Sequence, residues 1–193
     1  MRLTLAWLLV VLLCSCAPAQ GMDGVSDLNL ARIDHQRNAM CVLDGWAVVN
    51  IGLGLALRST TTGESRRFHE MNALWNTVNL GIAGLGYLAA TRDPVATDLY
   101  TSLQKHHGFQ KILLLNAGLD VGYLMGGLYL RGRSGRVGAD GERLRGYGNS
   151  IMVQGGFLLL FDLANYFIAR GRDEDFRLLL GAVGEGVGLR VTF

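Results

Sequence analysis

The chain has 193 residues, of which 50% are hydrophobic and 18% charged, and its formal net charge is +2. By size it is one domain, and it is apolar for a water-soluble protein of that length. The small net charge, without a basic stripe interleaved with aromatic residues, argues against nucleic acid as a partner. Twelve of the 27 glycines lie inside apolar runs, as in transmembrane helices whose backbones approach closely.

Residues 1–19 have the features of a bacterial export signal. Arg2 supplies the positive charge, residues 3–13 are apolar, and Ala17-Pro18-Ala19 precede a signal peptidase site. Leu13-Cys14-Ser15-Cys16 is a competing pattern, because it resembles a lipobox and would leave Cys16 lipidated. An uncleaved anchor is the third alternative.

The next segment, residues 20–38, is polar, and we predict that it is extracytoplasmic with Ser26 or Asp27 as a helix N-cap. Cleavage of the signal leaves Cys41 as the one remaining cysteine, so no intrachain disulfide can form. The apolar surroundings of Cys41 predict a small packed residue rather than a reactive thiol.

Four apolar runs follow, at about 39–57, 71–90, 111–130 and 150–168. Each is long enough to cross about 30 Å of hydrocarbon as a helix. None of the four runs is free of polar residues, and a residue such as Asp120 offsets most of the favourable free energy of inserting its run into a membrane. A soluble four-helix bundle is the alternative, but apolar residues surround most of each run, and a chain of this size cannot bury such helices. We predict an all-α membrane protein with a four-transmembrane-helix bundle over residues 39–170.

The charges predict how the bundle is oriented. An exported N-terminus lies outside, so the connections 58–70 and 131–149 are cytoplasmic. They carry eight Arg residues, against Arg92 and Lys105 in the outer connection 91–110, as the positive-inside rule requires. The prediction is a protein of the bacterial inner membrane with both termini extracytoplasmic.

The tail, residues 171–193, changes character. Apolar residues alternate with glycine and polar residues from Val183 to Phe193, a period of two that is typical of a strand. Gly184-Glu185-Gly186 could turn it back onto residues 177–183. The prediction is a short extracytoplasmic β-hairpin.

Amide and carboxyl residues recur at helical spacing inside the apolar runs, which places each set on one helix face. These seam residues are Asn72, Asn76, Asn79, Asn116, Asp120, Gln154, Asp162 and Asn165. Lipid offers such groups no hydrogen-bond partner, so they must face one another or an aqueous cavity. Asp44 and Asn50 in the first run are candidates for a mouth residue. Trp46 and Trp75, near the ends of runs, are predicted interfacial anchors.

Three motifs carry a family resemblance: Met-Asn-x-x-Trp-Asn-x-x-Asn from Met71, Asn-x-Gly-Leu-Asp-x-Gly-Tyr from Asn116, and Gln-Gly-x-Phe-x-x-x-Phe-Asp from Gln154. The pattern resembles an uncharacterised bacterial family of small integral-membrane proteins, over about residues 38–170 and the glycine-rich C-terminal end. The resemblance implies a membrane location and no particular activity.

Several functions fit the seam. Interhelical hydrogen bonding makes it a structural or assembly element. Alternatively, an apolar medium disfavours a charged carboxylate, and the interiors of the runs hold no Lys or Arg, so Asp120 and Asp162 would hold or share a proton, as in a small proton- or cation-coupled transporter or channel. An intramembrane aspartyl hydrolase is a weaker fit, because Gly118-Leu119-Asp120 lacks a second glycine.

We therefore favour a non-enzymatic protein. His35, His69, His106 and His107 lie outside the runs, so we expect no haem, metal or other cofactor. The expected partners are the lipid bilayer and either further copies of the chain or another envelope protein.

Overall fold

A computed structural model describes residues 24–184, with side-chain environments for residues 24–181, and this part of the chain is helical almost throughout. The helices are α1 (Val25–Thr60), α2 (Gly63–Arg92), α3 (Leu99–Arg133), α4 (Gly141–Arg170) and α5 (Asp173–Gly184). The export signal and the possible lipidation at Cys16 lie outside the described residues.

Helices α1 to α4 have 36, 30, 35 and 30 residues. At about 1.5 Å per residue they are about 45 to 54 Å long, so each exceeds the thickness of a bilayer's hydrocarbon core. By length and composition three helices can cross a membrane: α1, α3, and α4 with its continuation into α5. Helix α2 is not among them, because Asn72, Asn76 and Asn79 occupy its middle. The all-helical class is confirmed, and the fourth span stays a prediction.

The long helices form two antiparallel hairpins. Helix α1 packs along α2, α3 packs along α4, and the hairpins meet mainly through α2 and α4. We call the end with the α1–α2 and α3–α4 connections the inner end, and the end where α1 and α3 begin the outer end. Glycine permits a close approach of α3 and α4: a methyl group on Gly127 would lie 2.6 Å from the carbonyl oxygen of Gly148, and one on Gly148 would lie 2.6 Å from that of Gly127.

Polar groups lie inside this bundle and large apolar groups lie outside. Gln154 and Asn76 are fully buried, whereas Leu85 is 71% exposed and Leu115 is 65% exposed. Among the described residues, eight of the sixteen buried apolar residues are alanines. In water such exposed apolar surface favours aggregation, whereas in lipid it faces a matching solvent. The distribution indicates that the apolar faces lie against lipid.

The helix ends differ from the predictions in two places. Helix α1 begins at Val25 after Gly24, whose position has no side-chain cap, so the predicted capping role of Ser26 or Asp27 is wrong. Most of the predicted outer connection 91–110 is helical, because Asp98 caps α3: its Oδ1 accepts a hydrogen bond from the backbone N–H of Thr101 at 2.8 Å. The α2–α3 connection is therefore only residues 93–98.

The predicted C-terminal hairpin is wrong for its first strand, because residues 173–184 form helix α5. Asp173, Glu174 and Asp175 stand in its first turn, where acidic side chains interact favourably with the helix dipole. Residues 185–193 lie outside the described part. The predicted packing of Cys41 is also wrong, because this cysteine is exposed on α1.

Candidate functional site

The polar seam contains a network of side chains that joins three helices. Trp46 of α1 donates through Nε1 to Oε1 of Gln154 on α4 at 2.8 Å. Gln154 then donates through Nε2 to Oδ1 of Asn72 on α2. Asn72 donates to Oδ1 of Asn50 on α1 at 3.0 Å and also to its backbone oxygen at 3.2 Å. These bonds close a loop from α1 through α4 and α2 back to α1.

The other two asparagines of α2 extend this network along their own helix. Asn76 donates to the backbone oxygen of Asn72 at 2.8 Å, and Asn79 donates to Oδ1 of Asn76 at 3.3 Å. Both side chains are buried. The predicted face of α2 is therefore a buried row of amides.

Two contacts between aromatic rings pack neighbouring helices together beside the seam residues. The Trp46 ring stacks on Phe157 of α4, with centroids 3.7 Å apart and planes within 4°. Trp75 of α2 meets Tyr123 of α3 edge to face at 4.8 Å. With its indole N–H bonded to Gln154, Trp46 belongs to the interior of the bundle and not to an interfacial belt. Asn50 joins the same network, whereas Asp44 is half-buried and its Oδ1 has no partner among the described residues.

Asp120 of α3 and Asp162 of α4 are buried neighbours on two helices that pack along each other. Asn116 of α3 is a neighbour of the Asp162 carboxyl group. Two neighbouring buried carboxylates repel each other, so a proton on one partner stabilises the pair. Both are buried, and Oδ2 of Asp120 has no partner among the described residues. The pair can therefore hold a proton.

Asn165 lies apart from that pair and bonds to His35 of α1 at the outer end. Its Oδ1 is 2.8 Å from Nε2 of His35, and Nη1 of Arg172 is 3.0 Å from Nδ1 of the same ring. A guanidinium only donates, so Nδ1 accepts and Nε2 carries the proton donated to Asn165. Burial, and secondly the charge of Arg172, lowers the pKa of His35 to about 4. His35 is therefore neutral at pH 7.

A second histidine, His106 of α3, is fully buried beside α5. Its Nε2 donates to Oδ1 of Asp173 at 2.7 Å, and Gln110 donates to the same oxygen at 2.7 Å. Burial lowers the pKa of His106, even though Asp173 favours the charged ring. The ring also packs on Phe176 at 4.7 Å. These contacts fix α5 against the start of α3.

A third set of contacts fastens the α2–α3 connection at the same end. Asp93 accepts hydrogen bonds from Arg32 of α1 and Lys105 of α3, both at 2.6 Å. Burial disfavours the Asp93 carboxylate, but these two cations outweigh it and lower its pKa. Asn29 of α1 bonds to Ser102 of α3 and to the backbone oxygen of Ala96. Together with the two histidine sets, these residues form what we call the outer polar cluster.

The outer polar cluster is not predicted by the sequence pattern, because residues 20–38 and 91–110 have the local polarity of solvated connections. One signal was available in the sequence. Asn29, Arg32 and Gln36 recur at helical spacing beside Leu28 and Ile33, a pattern that indicates a buried polar face. In the part of the chain that the structure describes, no group of three or more His, Cys, Asp or Glu residues could hold a metal ion.

Two open cavities lie toward the inner end. One, of about 300 Å³, is lined by residues of α1, α2 and α4, including Ile51, Arg58, Glu70 and Tyr147. The other, of about 380 Å³, is lined by residues from Tyr129 to Leu144. Neither is lined by Asp120 or Asp162.

Three helices that can cross a membrane, with amides and carboxyls turned inward and apolar side chains outward, indicate a helical membrane protein. The chain belongs to the family of unknown function DUF6992, whose model matches residues 42–163. The predicted membership of an uncharacterised family is confirmed. The matched range includes every seam residue except Asn165, and it excludes Arg32, His35 and Asp173 of the outer polar cluster. No curated protein and no solved structure matches the chain.

Proposed function

We propose that this chain is a polytopic cell-envelope membrane protein of structural or assembly type, whose polar seam fixes how its helices pack. The network from Trp46 through Gln154 and Asn72 to Asn50 carries the proposal, because its hydrogen bonds are made between groups of the protein itself. Interhelical hydrogen bonds in membranes contribute about 0.6 kcal/mol each on average. Three of them therefore contribute about 2 kcal/mol, enough to select one register.

The proposal includes α2 as the fourth span. Its outward residues Leu74, Val78, Ile82 and Leu85 are each more than half exposed. Its amides, which lower its mean hydropathy, are turned toward α1 and α4. A helix of this kind inserts stably with partners that satisfy its polar face. With the charge distribution of the connections, four spans place both termini on the extracytoplasmic side of a bacterial inner membrane. A signal peptide in residues 1–19, or lipidation of Cys16, would deliver the chain there.

The buried pair Asp120 and Asp162 favours a second candidate, a small proton- or cation-coupled transporter or channel. An intramembrane carboxyl pair that shares a proton is a typical element of proton pathways. Its unpartnered oxygen, Oδ2 of Asp120, is the specific observation. Transport additionally requires a path that connects the pair to water.

The two functions separate in sealed liposomes that contain the purified protein and an internal pH-sensitive dye. A potassium gradient with valinomycin drives proton entry if a pathway exists. We expect no flux above protein-free liposomes, and the same result for the Asp120→Asn and Asp162→Asn variants. Flux in the wild type that either substitution abolishes would replace the structural proposal with the transport one.

A further inference from the structure

The cavity of about 380 Å³ at the inner end combines positive charge with apolar walls. It is formed by the last turn of α3, the α3–α4 connection and the start of α4. Its lining residues are Tyr129, Leu130, Arg133, Arg136, Val137, Gly138, Ala139 and Leu144. Two of these carry guanidinium groups, none carries a carboxylate, and most of the others are apolar.

The two cationic side chains are available for an anion. Both are exposed, and neither belongs to any ion pair between the described side chains. The nearby acids are engaged elsewhere. Oδ1 of Asp140 accepts from the backbone N–H of Arg143 at 3.0 Å, and the Glu142 carboxylate lies against Gly63 of α2. The lining of the cavity therefore carries two positive charges and no negative one.

Arg133 is held in position at the boundary between polar and apolar surface. Its Nη1 donates to the Tyr129 hydroxyl at 2.6 Å, and its guanidinium carbon lies 5.5 Å from the centre of that ring. Met125, one turn deeper along α3, is 60% exposed, and Tyr129 is 59% exposed. Tyrosine at this position is typical of the level of lipid headgroups. The guanidinium therefore lies where a phosphate would be found, with exposed apolar surface below it for acyl chains.

The backbone of the connection also holds Arg136 near the cavity. The N–H of Arg136 donates to the carbonyl oxygen of Arg133 at 3.2 Å, and the N–H of Ala139 donates to that of Arg136 at 3.1 Å. Gly138 has a φ of +79°, in the left-handed region that favours glycine. These successive turns place both arginines around one open space. Two guanidinium groups that line one cavity suit a phosphate, which accepts several hydrogen bonds at once.

We propose that this cavity binds the phosphate headgroup of an anionic phospholipid, with Arg133 and Arg136 as its ligands. The inference rests on the membrane placement proposed above. The other cavity provides the contrast, because its lining pairs one arginine, Arg58, with a carboxylate, Glu70, at 3.9 Å. A phospholipid in the bilayer beside α3 already holds its headgroup at the level of the cavity, so the phosphate does not have to bind from solution.

The test is the lipid that stays bound when the protein is released from nanodiscs made of equal parts phosphatidylglycerol and phosphatidylcholine with the same acyl chains. Native mass spectrometry counts each lipid on the wild type, on R133Q/R136Q and on the matched control R58Q/R66Q, which removes the same charge at the same end. Each charge-assisted hydrogen bond from a guanidinium group to the bound phosphate contributes about fivefold or more. We expect R133Q/R136Q to lose roughly 30-fold of the phosphatidylglycerol preference, R58Q/R66Q to keep it, and R133K/R136K to retain most of it.

Each other outcome overturns the inference in a distinguishable way. Equal retention of the two lipids by the wild type, or equal loss in the control variant, means a diffuse surface charge and no site. Displacement of the bound lipid by millimolar inorganic phosphate means a site for free phosphate. A wild type recovered in water without lipid or detergent would overturn the proposed function and this inference together.

Discussion

Acidification is expected to loosen the outer end of the bundle through His35. This side chain is 8% exposed, and in the folded state its pKa is about 4, because of burial first and the neighbouring Arg172 second. In the unfolded chain the pKa of histidine is about 6.5. The folded state therefore binds fewer protons than the unfolded state between these values. The stabilising contribution is complete above pH 6.5 and is lost as the pH falls toward 4.

The size of the effect follows from the two pKa values. A tenfold change in proton affinity corresponds to about 1.4 kcal/mol, so the complete loss is about 3 kcal/mol, of which about 2 kcal/mol is gone at pH 5. His106 acts in the same direction, since burial also lowers its pKa. The lowered pKa values of Asp93 and Asp173 matter only below about pH 4, where their stabilising charge is lost.

The assay is the free energy of unfolding in detergent at pH 7.5 and pH 5, for the wild type and for His35→Gln. Glutamine keeps a donor for Asn165 and an acceptor for Arg172 but does not titrate. We expect the wild type to lose about 2 kcal/mol more than the variant over this range, while both lose the contribution of His106. The same loss in both proteins, or a His35 ring that titrates near pH 6.5 by NMR, would refute the reasoning.

Three further predictions concern packing and hydrogen bonds. Gly127→Ala should destabilise the fold by about 1–3 kcal/mol, because its methyl group would collide with Gly148. Thermal unfolding should show no comparable loss for the control Gly126→Ala, because Gly126 has open space around it; equal losses would contradict the close approach of α3 and α4. Gln154→Leu should cost about 2–3 kcal/mol in denaturant unfolding, because Trp46 and Asn72 each lose a buried partner, and a variant as stable as the wild type would show that the network contributes little. Asp93→Asn should lower the free energy of unfolding by about 1–3 kcal/mol, because it weakens two charge-assisted hydrogen bonds, and hydrogen-exchange mass spectrometry should show faster amide exchange in residues 93–98. Unchanged exchange would show that these ion pairs do not order the α2–α3 connection.

The seam could be predicted from the sequence because helical periodicity is local. Asn72, Asn76 and Asn79 fall on one face whatever the helix packs against, and the structure buries all three. Periodicity does not determine which faces meet. Asn165 shares its face with Asp162, yet it bonds to His35, because α1 begins at Val25 and continues beyond the apolar run.

The outer polar cluster depends on contacts between residues distant in the sequence. The Arg32 guanidinium can be buried because the carboxylate of Asp93, 61 residues away, balances its charge, and His35 hydrogen-bonds to Arg172, which is 137 residues away. Local polarity instead indicated a solvated segment. The tail shows the same competition: alternation favoured a strand, but three acids at a helix start and the contact of Phe176 with His106 favour α5. Tertiary contacts, and not the local sequence pattern, therefore determine the structure of both regions.

The central claim is a bundle whose helices, α2 included, turn amides inward and apolar residues to lipid. Spin-label accessibility along α2 tests it most directly, in liposomes and in a Cys41→Ala background. Labels at Val78 and Ile82, 61% and 55% exposed, should collide more often with oxygen than with a water-soluble nickel chelate, and a label at Ser65 near the inner end should do the reverse. Nickel collisions at Val78 and Ile82 that match those at Ser65 would place α2 in water and contradict the four-helix arrangement.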